Sequence, residues 1–300
     1  LWVEEDDSVE TSLRTAATPD RAGWQGHLHL VFGLQQTKTC VLQAQAQAPL
    51  KVQRPFYPEG DRVCHSVIVH TAGGMVGGDR LAVDLTVQPM AQALITTAAA
   101  SKIYRSNGAT AQQHIRLAIA PQAWLEWLPQ ETIVFAGAEY AQTLHVDLAP
   151  NSVWLGWEIT RFGRTARGEQ FTQGNWRSHT EVWQAGQPLW LDRQWLPGNA
   201  TVWHSPHGLF GCPVVGSFAF RGQSVSPELV QQARDRWADL HATQPLPSGD
   251  EIGVSRLRSG LICRYRGHSS ALARRWFIAV WHLLRRQYGD RPACPPRVWQ

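Results

Sequence analysis

The chain has 300 residues, including fifteen Trp and two Met, and a formal net charge of +4 at pH 7. That length allows one large β domain or two ordinary domains with a sizeable core. Five scattered cysteines without a C-x-x-C pair argue against a secreted disulfide framework and favour the cytoplasm. No apolar run reaches the roughly 18 residues that a membrane helix needs, and the acidic start is unlike a signal peptide.

Charge is unevenly distributed along the chain. Residues 1–10 hold five acids and no base, whereas residues 251–300 hold ten Arg against two acids. A basic end on a near-neutral body suggests an acidic partner surface. Nucleic acid is not supported, because neither an aromatic-basic RNA motif nor a helix-turn-helix spacing is present. The alternative is that these arginines only solvate a helix.

The first elements in chain order are a polar lead and a glycine-rich segment. Residues 1–22 are acidic and lack periodicity, which predicts a disordered lead before a single domain over residues 23–300. Residues 70–79, HTAGGMVGGD, place two glycine pairs before a carboxylate. Alternating apolar residues then predict a half-buried strand: Leu81, Val83, Leu85 and Val87. We therefore expect a sharp, exposed turn with Asp79 at its mouth.

Two nucleotide-binding motifs are close to this segment, and neither fits. A dinucleotide fold needs G-x-G-x-x-G between a strand and a helix, and a P-loop needs G-K-[ST]. Here G-G-x-x-G-G-D leads into a strand, so no helix N-terminus is offered to a phosphate. The remaining interpretations are a ligand-binding loop and a turn that only permits a tight bend.

A weak repeat organises the middle of the chain. Residues 85–95, 117–127 and 146–156 each place a proline between two apolar segments, at Pro89, Pro121 and Pro150. Because proline does not continue a central β ladder, each unit is predicted as strand, proline turn, strand. Hairpins that recur at this period predict a mostly β fold of stacked β-layers, like an irregular β-solenoid or sandwich.

Two α-helices are predicted in the C-terminal third. The first begins at Ser226-Pro227-Glu228, an N-cap followed by a proline and an acid. Its apolar face is formed by Leu229, Ala233, Trp237 and Leu240. The second begins near Ser269 or Ser270 and stops at Gly289. Its apolar stripe is formed by Leu272, Trp276, Phe277, Val280 and Leu284.

Two acids interrupt apolar strand patterns. Glu158 lies within VWLGWEI and Asp192 within PLWLDR. An unpaired buried carboxylate is costly, so an acid at such a position is informative. The structural alternatives are that Asp192 pairs with an arginine such as Arg193, and that Glu158 caps a bulge or pairs with Arg161.

Three further sets of residues were candidates for chemistry or for the core. Ser101-Lys102 lacks the S-x-x-K spacing and the oxyanion motif of a hydrolase. His204, His207 and Cys212 have a metal-ligand spacing but no fourth ligand, so a structural or solvent-exposed role is favoured. Alternation predicts that most of four tryptophans are core residues: Trp124, Trp127, Trp154 and Trp157.

Six segments in order carry a resemblance to a known family. They are VQRPFYP from Val52, HTAGGMVGGD from His70, ASKIYRS from Ala100, LEWLPQE from Leu125, FGRTARGE from Phe162 and PRVW from Pro296. The chain resembles the UreD/UreH family of urease accessory proteins over roughly residues 23–299. The resemblance implies a mostly β fold in stacked layers with two late helices, which agrees with the pattern above.

The resemblance also implies a non-enzymatic function. Family members bind UreF, the GTPase UreG and apo-urease in the cytoplasm, with a homodimer possible within the accessory complex. They help to deliver Ni²⁺ as a transient cargo, with no tightly bound cofactor. An internal polar path is proposed for the family, and the matching positions are Asp79, Ser101, Glu158 and Asp192, with Tyr57 nearby in the sequence pattern.

Three functional hypotheses follow. The first is a nickel-delivery scaffold with an internal path, for which weak oxygen ligands suit an ion that must leave. The second is an interaction scaffold without metal transit. The third is a metal-dependent hydrolase built on the glycine loop and His204, His207 and Cys212, which lacks a nucleophile, base and orienting group.

Overall fold

A computed structural model describes residues 23–243 and 249–299, with side chains of residues 23–240 and 249–299. The lead predicted for residues 1–22 lies outside the described residues, and the single-domain assignment stays a prediction. The strands are β1 Gln25–Gln35, β2 Lys38–Gln47, β3 Leu50–Val52, β4 Val63–His70, β5 Arg80–Val87, β6 Gln92–Thr97, β7 Ser101–Ile103, β8 Ala111–Ile119, β9 Trp124–Trp127, β10 Thr132–Val134, β11 Ala138–Leu148, β12 Val153–Phe162, β13 Gly174–Gln184, β14 Gln187–Pro197, β15 Val214–Arg221, β16 Glu251–Leu257 and β17 Gly260–Gly267. The helices are α1 Ala200–His204, α2 Pro227–Thr243 and α3 Ser270–Tyr288, with 3-10 turns at Thr165–Arg167 and Arg297–Trp299.

The strands form two stacked sheets. The seven-stranded sheet has the order β14-β13-β11-β8-β5-β1-β2, and the main path of the ten-stranded sheet is β16-β17-β15-β12-β9-β6-β4-β3. The chain alternates between the sheets, because β5, β8 and β11 lie in the first and β6, β9 and β12 in the second. The predicted fold class of stacked, solenoid-like β-layers is therefore confirmed.

The proline repeat is the unit of this stack. Leu85 pairs with Leu117, and Leu117 pairs with Val146, in parallel register. The residue after each repeat proline has positive φ, at Met90, Gln122 and Asn151. Each unit therefore turns from one sheet to the other at the same place in the stack.

A third, short face completes the layers. Met75 bridges to Ile103 in the parallel sense, Ile103 pairs with Val134, and Val134 pairs with Phe162. All four side chains are buried. The glycine-rich segment is thus the first layer of this face, rather than a free binding loop.

Two cores flank the ten-stranded sheet, one against the other sheet and one against the helices. In β12, Trp154 belongs to the core between the sheets, whereas Trp157 belongs to the core under the helices. All four tryptophans predicted as core are buried, at positions 124, 127, 154 and 157. Glu158 of β12 is half-buried on the face between the sheets, where it contacts Ser178 of β13.

Helices α2 and α3 cover the outer face of the ten-stranded sheet. Ser226 Oγ accepts a hydrogen bond from the Leu229 N–H at the start of α2, and Ser269 caps α3 in the same way. Gly289 follows the last turn of α3. Both predicted helices are confirmed, and the short helix α1 was not predicted.

Candidate functional site: an acidic cavity between the sheets

A small cavity of about 50 Å³ lies between the two sheets. Its polar lining includes side chains from six different strands: Ser101, Gln113, Gln142, Glu158, Asp192 and Ser217. Gly156 also lines it, where a Cβ atom would lie 2.5 Å from the Trp154 ring. The volume exceeds the minimum of about 10–15 Å³ for one water, so a hydrated polar interior fits here.

Glu158 is the carboxylate at the centre of this lining. Ser178 Oγ donates to its Oε2 at 2.7 Å, and Thr160 Oγ1 donates to its Oε1 at 3.3 Å. Among the described residues, no basic side chain lies within ion-pair distance of it. Burial raises the pKa of Glu158, and the charge of Asp192 raises it further. The ionised carboxylate therefore has only hydroxyl partners.

Asp192 lies at one side of the cavity with a different set of partners. Arg264 Nη2 lies 2.7 Å from its Oδ1, and Gln194 Nε2 donates to its Oδ2 at 2.8 Å. Arg193 instead pairs with Glu181, at 3.4 Å. The structural alternative of an arginine pair thus holds for Asp192, with Arg264 as the partner.

The expected partner of Glu158 is engaged elsewhere. Arg161 Nη1 donates to Thr165 Oγ1 at 2.7 Å, and its Nη2 donates to the His268 carbonyl at 3.5 Å. The proposed Glu158–Arg161 pair is therefore wrong.

A second cavity lies beside the first, and Ser101 lines both. This neighbouring cavity measures about 300 Å³ and shares Thr97, Ser101, Gln113 and Trp127 with the first. Its other end is lined by residues of the glycine segment and of β7, including Gly73 and Lys102. The two cavities are therefore neighbours that lie between the glycine segment and Glu158.

Ser101 does not form a nucleophile pair with Lys102. Successive side chains on a strand point to opposite sides. Ser101 lines both cavities, whereas Lys102 is exposed and, of the two cavities, lines only the second. A Ser/Lys hydrolase site therefore has no geometric support at these residues.

Asp79 is buried away from these two cavities. Its Oδ1 accepts from the Trp24 N–H at 2.8 Å, and its Oδ2 accepts from the Val76 N–H at 2.8 Å. Gly78, with φ of +92°, makes the turn that brings these groups together. Both carboxylate oxygens hold the backbone at the glycine segment through hydrogen bonds, so Asp79 has a structural role.

Tyr57 also lies outside the cavity lining. Lys38 Nζ lies 4.0 Å from the centre of its ring. Burial raises the pKa of Tyr57, and the nearby thiols of Cys64 and Cys40 raise it further. Of the five predicted path residues, the structure brings together Ser101, Glu158 and Asp192.

Comparison with known proteins decides the family. The family model described as UreD urease accessory protein matches residues 25–300. The chain belongs to the UreD family.

Relatives named "Urease accessory protein UreD" cover nearly the whole chain. The protein of Acaryochloris marina is 59% identical over 280 residues, which is 93% of this chain and 96% of that one. The protein of Nostoc punctiforme is 59% identical over 279 residues, with the same two coverages of 93% and 96%. The protein of Methylobacillus flagellatus is 38% identical over 295 residues, or 98% and 99% of the two chains.

The histidine candidates of the sequence do not form a metal centre in this UreD-family chain. His204 and His207 are exposed, whereas Cys212 is buried with its Sγ 3.5 Å from the Gly249 carbonyl. Within the described ranges, the three do not meet as a group of converging ligand atoms.

A different group of potential ligands converges, and it was not predicted. Ligand atoms of Glu59, His65 and Cys294 lie within 4.8 Å of one another. Glu59 Oε1 lies 2.6 Å from His65 Nε2 and accepts from Arg285 Nη2 at 3.0 Å. Because Arg285 already supplies the positive charge, this group fits an ion network better than a metal site.

Arg285 links that group to a second buried acid. Its Nε donates to Glu126 Oε1 at 2.8 Å, and its Nη2 donates to Glu126 Oε2 at 2.8 Å. Burial raises the pKa of Glu126, but the charge and hydrogen bonds of Arg285, together with the charge of Arg291, outweigh this and the pKa is lowered. Glu126 lies within WLEW of β9, so the same pattern that singled out Glu158 also marks this network.

At least half of the ten arginines in the basic C-terminal region are paired within the chain. At least five of its arginines form ion pairs with acids: Arg264, Arg266, Arg274, Arg285 and Arg291. The positive charge of these five arginines is thus balanced by acids of the same chain. No helix in the described part of the chain is long and apolar enough to cross a membrane.

Proposed function

We propose that this chain acts in urease maturation as a scaffold that binds UreF, UreG and apo-urease, and that it conducts Ni²⁺ through the acidic cavity. It has no active site of its own. Membership of the UreD family and the printed name of its relatives support a place in urease maturation. The conduit is supported by the cavity chemistry.

The observation that carries the conduit is the uncompensated carboxylate of Glu158. An ionised group in the interior is costly unless it is paired. Its partners here are two hydroxyl groups, Ser178 and Thr160. A passing divalent cation supplies the missing charge, so the cost of keeping Glu158 has a functional explanation.

The remaining lining suits transit rather than storage. Ser101, Gln113 and Gln142 offer neutral oxygen ligands, and none of the residues lining the 50 Å³ cavity is a cysteine or histidine, whereas His70 lines the neighbouring cavity. Nickel binds thiolate and imidazole more tightly than hydroxyl, amide or water oxygens. A cavity lined by oxygen atoms therefore holds Ni²⁺ weakly enough for release.

An interaction scaffold without metal transit is the second candidate. Large apolar side chains are exposed on the edge strand β14, where Leu191 is 44% and Trp195 is 62% exposed. Exposed aromatic side chains of this kind serve as anchors in protein interfaces. This surface supports partner binding under either candidate function.

The test is co-purification with UreF and UreG, followed by urease activation with nickel. The intact chain is compared with Glu158→Ala/Asp192→Ala. The matched control is Asp147→Ala/Glu181→Ala, which removes two acids from the outer face of the seven-stranded sheet.

We expect all three chains to form the complex, and only the cavity variant to lose activation. A stable complex with full activation in the cavity variant would leave an interaction scaffold. Failure of the intact chain to form any complex would contradict the function in urease maturation.

A further inference from the structure

The cavity has two unlike ends. At the Ser101 side it adjoins the larger cavity of about 300 Å³. At the Asp192 side it meets the place where β14, the edge of one sheet, lies over β15 and β17 of the other. Polar side chains from all three strands meet there, so this end is closed by side chains rather than by backbone.

Four residues form the closure: Asp192 and Gln194 from β14, Ser217 from β15 and Arg264 from β17. Ser217 and Arg264 are paired in register across their strands. Arg264 Nη2 lies 2.7 Å from Asp192 Oδ1, and Arg264 Nη1 donates to Ser217 Oγ. Gln194 Nε2 donates to Asp192 Oδ2 at 2.8 Å and to Ser217 Oγ at 3.3 Å. The four side chains form a ring of hydrogen bonds.

Arg264 is the solvent-facing member of this ring. Its side chain is 39% exposed, whereas that of Asp192 is 14% exposed. The guanidinium therefore lies between solvent and the Asp192 carboxylate. Since it neutralises that carboxylate and repels other cations, a divalent ion reaches Asp192 from this side only when Arg264 leaves.

We propose that Arg264 is a latch that closes the Asp192 end of the cavity to divalent cations. The latch opens when the guanidinium swings into the solvent that it already partly faces. In the closed state Asp192 is unavailable as a ligand and Glu158 is shielded. The proposal deepens the conduit of the preceding section and rests on it for its purpose.

The test is Ni²⁺ binding to the full chain by equilibrium dialysis, with Arg264→Met and Arg264→Gln. The glutamine variant keeps a hydrogen-bond donor and so guards against misfolding, which circular dichroism checks for both. The matched control is Arg193→Met, which removes the neighbouring arginine that pairs with Glu181 instead. Adding Glu158→Gln to Arg264→Met locates the bound ion.

We expect the Arg264 variants to bind one Ni²⁺ per chain at least about tenfold more tightly than the intact chain, because a nearby positive charge is gone. Arg193→Met should leave binding unchanged, and Glu158→Gln should abolish the gain. Equal binding by folded Arg264 variants and the intact chain would overturn the latch, as would a gain that survives Glu158→Gln.

The latch and the conduit fail in different ways. If Arg264→Met gains nickel affinity while Glu158→Ala/Asp192→Ala still activates urease, the latch stands and the conduit does not. If Glu158→Ala/Asp192→Ala abolishes activation while Arg264→Met binds nickel like the intact chain, the conduit stands and the latch does not.

Discussion

Glu126 and Glu158 are interior acids on the neighbouring strands β9 and β12, and they have opposite electrostatic surroundings. Glu126 lies in register with Leu155, on the face covered by the helices, and is paired with Arg285. Glu158 lies between the two sheets and receives only hydroxyl hydrogen bonds. Accordingly, the pKa of Glu126 is lowered and that of Glu158 is raised.

This contrast separates an acid of a structural ion network from the acid of the proposed conduit. The network of Glu59, Glu126 and Arg285 ties the loop before β4, strand β9 and helix α3 together. Arg291, 3.9 Å from Glu59, supplies the second positive charge that balances the two acids. The cavity of Glu158 is left with negative charge that nothing in its own lining fully compensates. A buried ion network in which each negative charge has a positive partner stabilises the fold. A network with an unbalanced negative charge can instead bind a cation.

The largest expected effect is a loss of stability when Arg285, the cation between Glu59 and Glu126, is replaced. Arg285→Met strips both Glu59 and Glu126 of their partner, which we expect to cost about 3–5 kcal/mol of unfolding free energy. Urea denaturation at neutral pH measures it. The control is Arg286→Met, the exposed neighbour on α3, which should change stability little. A similar free energy of unfolding for both variants would contradict the structural assignment of the network.

The same network predicts an acid-sensitive stability. Burial opposes ionisation of Glu59, but hydrogen bonds from His65 and Arg285 lower its pKa to about 2. A carboxylate with a lowered folded-state pKa stabilises the fold above its unfolded pKa and loses that contribution as pH falls toward the folded value. Stability should therefore decline between about pH 4.5 and about pH 2.

Urea titrations across that window, on the intact chain and on Glu59→Gln, check this expectation. The variant cannot lose a charge at residue 59, so its stability should decline less steeply with acid. Parallel curves for the two chains would show that Glu59 does not contribute to the decline.

Glu158→Gln should act in the opposite direction. The folded-state pKa of Glu158 is raised, so the protonated form is favoured in the fold, and its stabilisation is lost as pH rises through that pKa. The amide mimics the protonated acid. We expect the variant to be more stable than the intact chain by about 1 kcal/mol near neutral pH, and equal to it in acid.

Thermal unfolding at both pH values measures this difference. Glu181→Gln is the control, because Trp183 and Arg193 lower the pKa of Glu181 and its charge favours the fold. A stability loss in Glu158→Gln near neutral pH would mean that the interior carboxylate is compensated after all.

The smallest effect is expected at the histidines near α1. His204→Ala/His207→Ala removes two exposed side chains that do not converge with Cys212 in the described structure. Nickel affinity should be unchanged, and stability should change by less than about 0.5 kcal/mol. A loss of one bound Ni²⁺ per chain in equilibrium dialysis would revive the metal-site hypothesis.

Local patterns account for what the sequence predicted correctly. The proline spacing placed Leu85, Leu117 and Val146 in equivalent positions, and they pair in the structure. Helix caps at Ser226 and Ser269 are local hydrogen bonds, so both helices were predictable. The helix α1 has an N-cap at Asn199, but its single turn is too short to show periodicity.

The site was only partly predictable, because its contacts join distant parts of the chain. An acid within an apolar strand marked Glu158, yet the same signal at Glu126 belongs to a structural ion network. Asp79 does not line the cavity. Its carboxylate accepts a hydrogen bond from the backbone of Trp24, 55 residues away in the chain, which no local pattern indicates. Nothing in the local pattern of β14 pointed to Arg264 as the partner of Asp192.

The central claim is that the uncompensated carboxylate of Glu158 serves a passing nickel ion. The most direct measurement is the nickel content of urease purified after activation with Glu158→Gln, against Glu59→Gln and the intact chain, with equal amounts of assembled accessory complex. We predict that nickel per urease falls several-fold with Glu158→Gln and stays at the level of the intact chain with Glu59→Gln. Full nickel loading with Glu158→Gln would contradict the account.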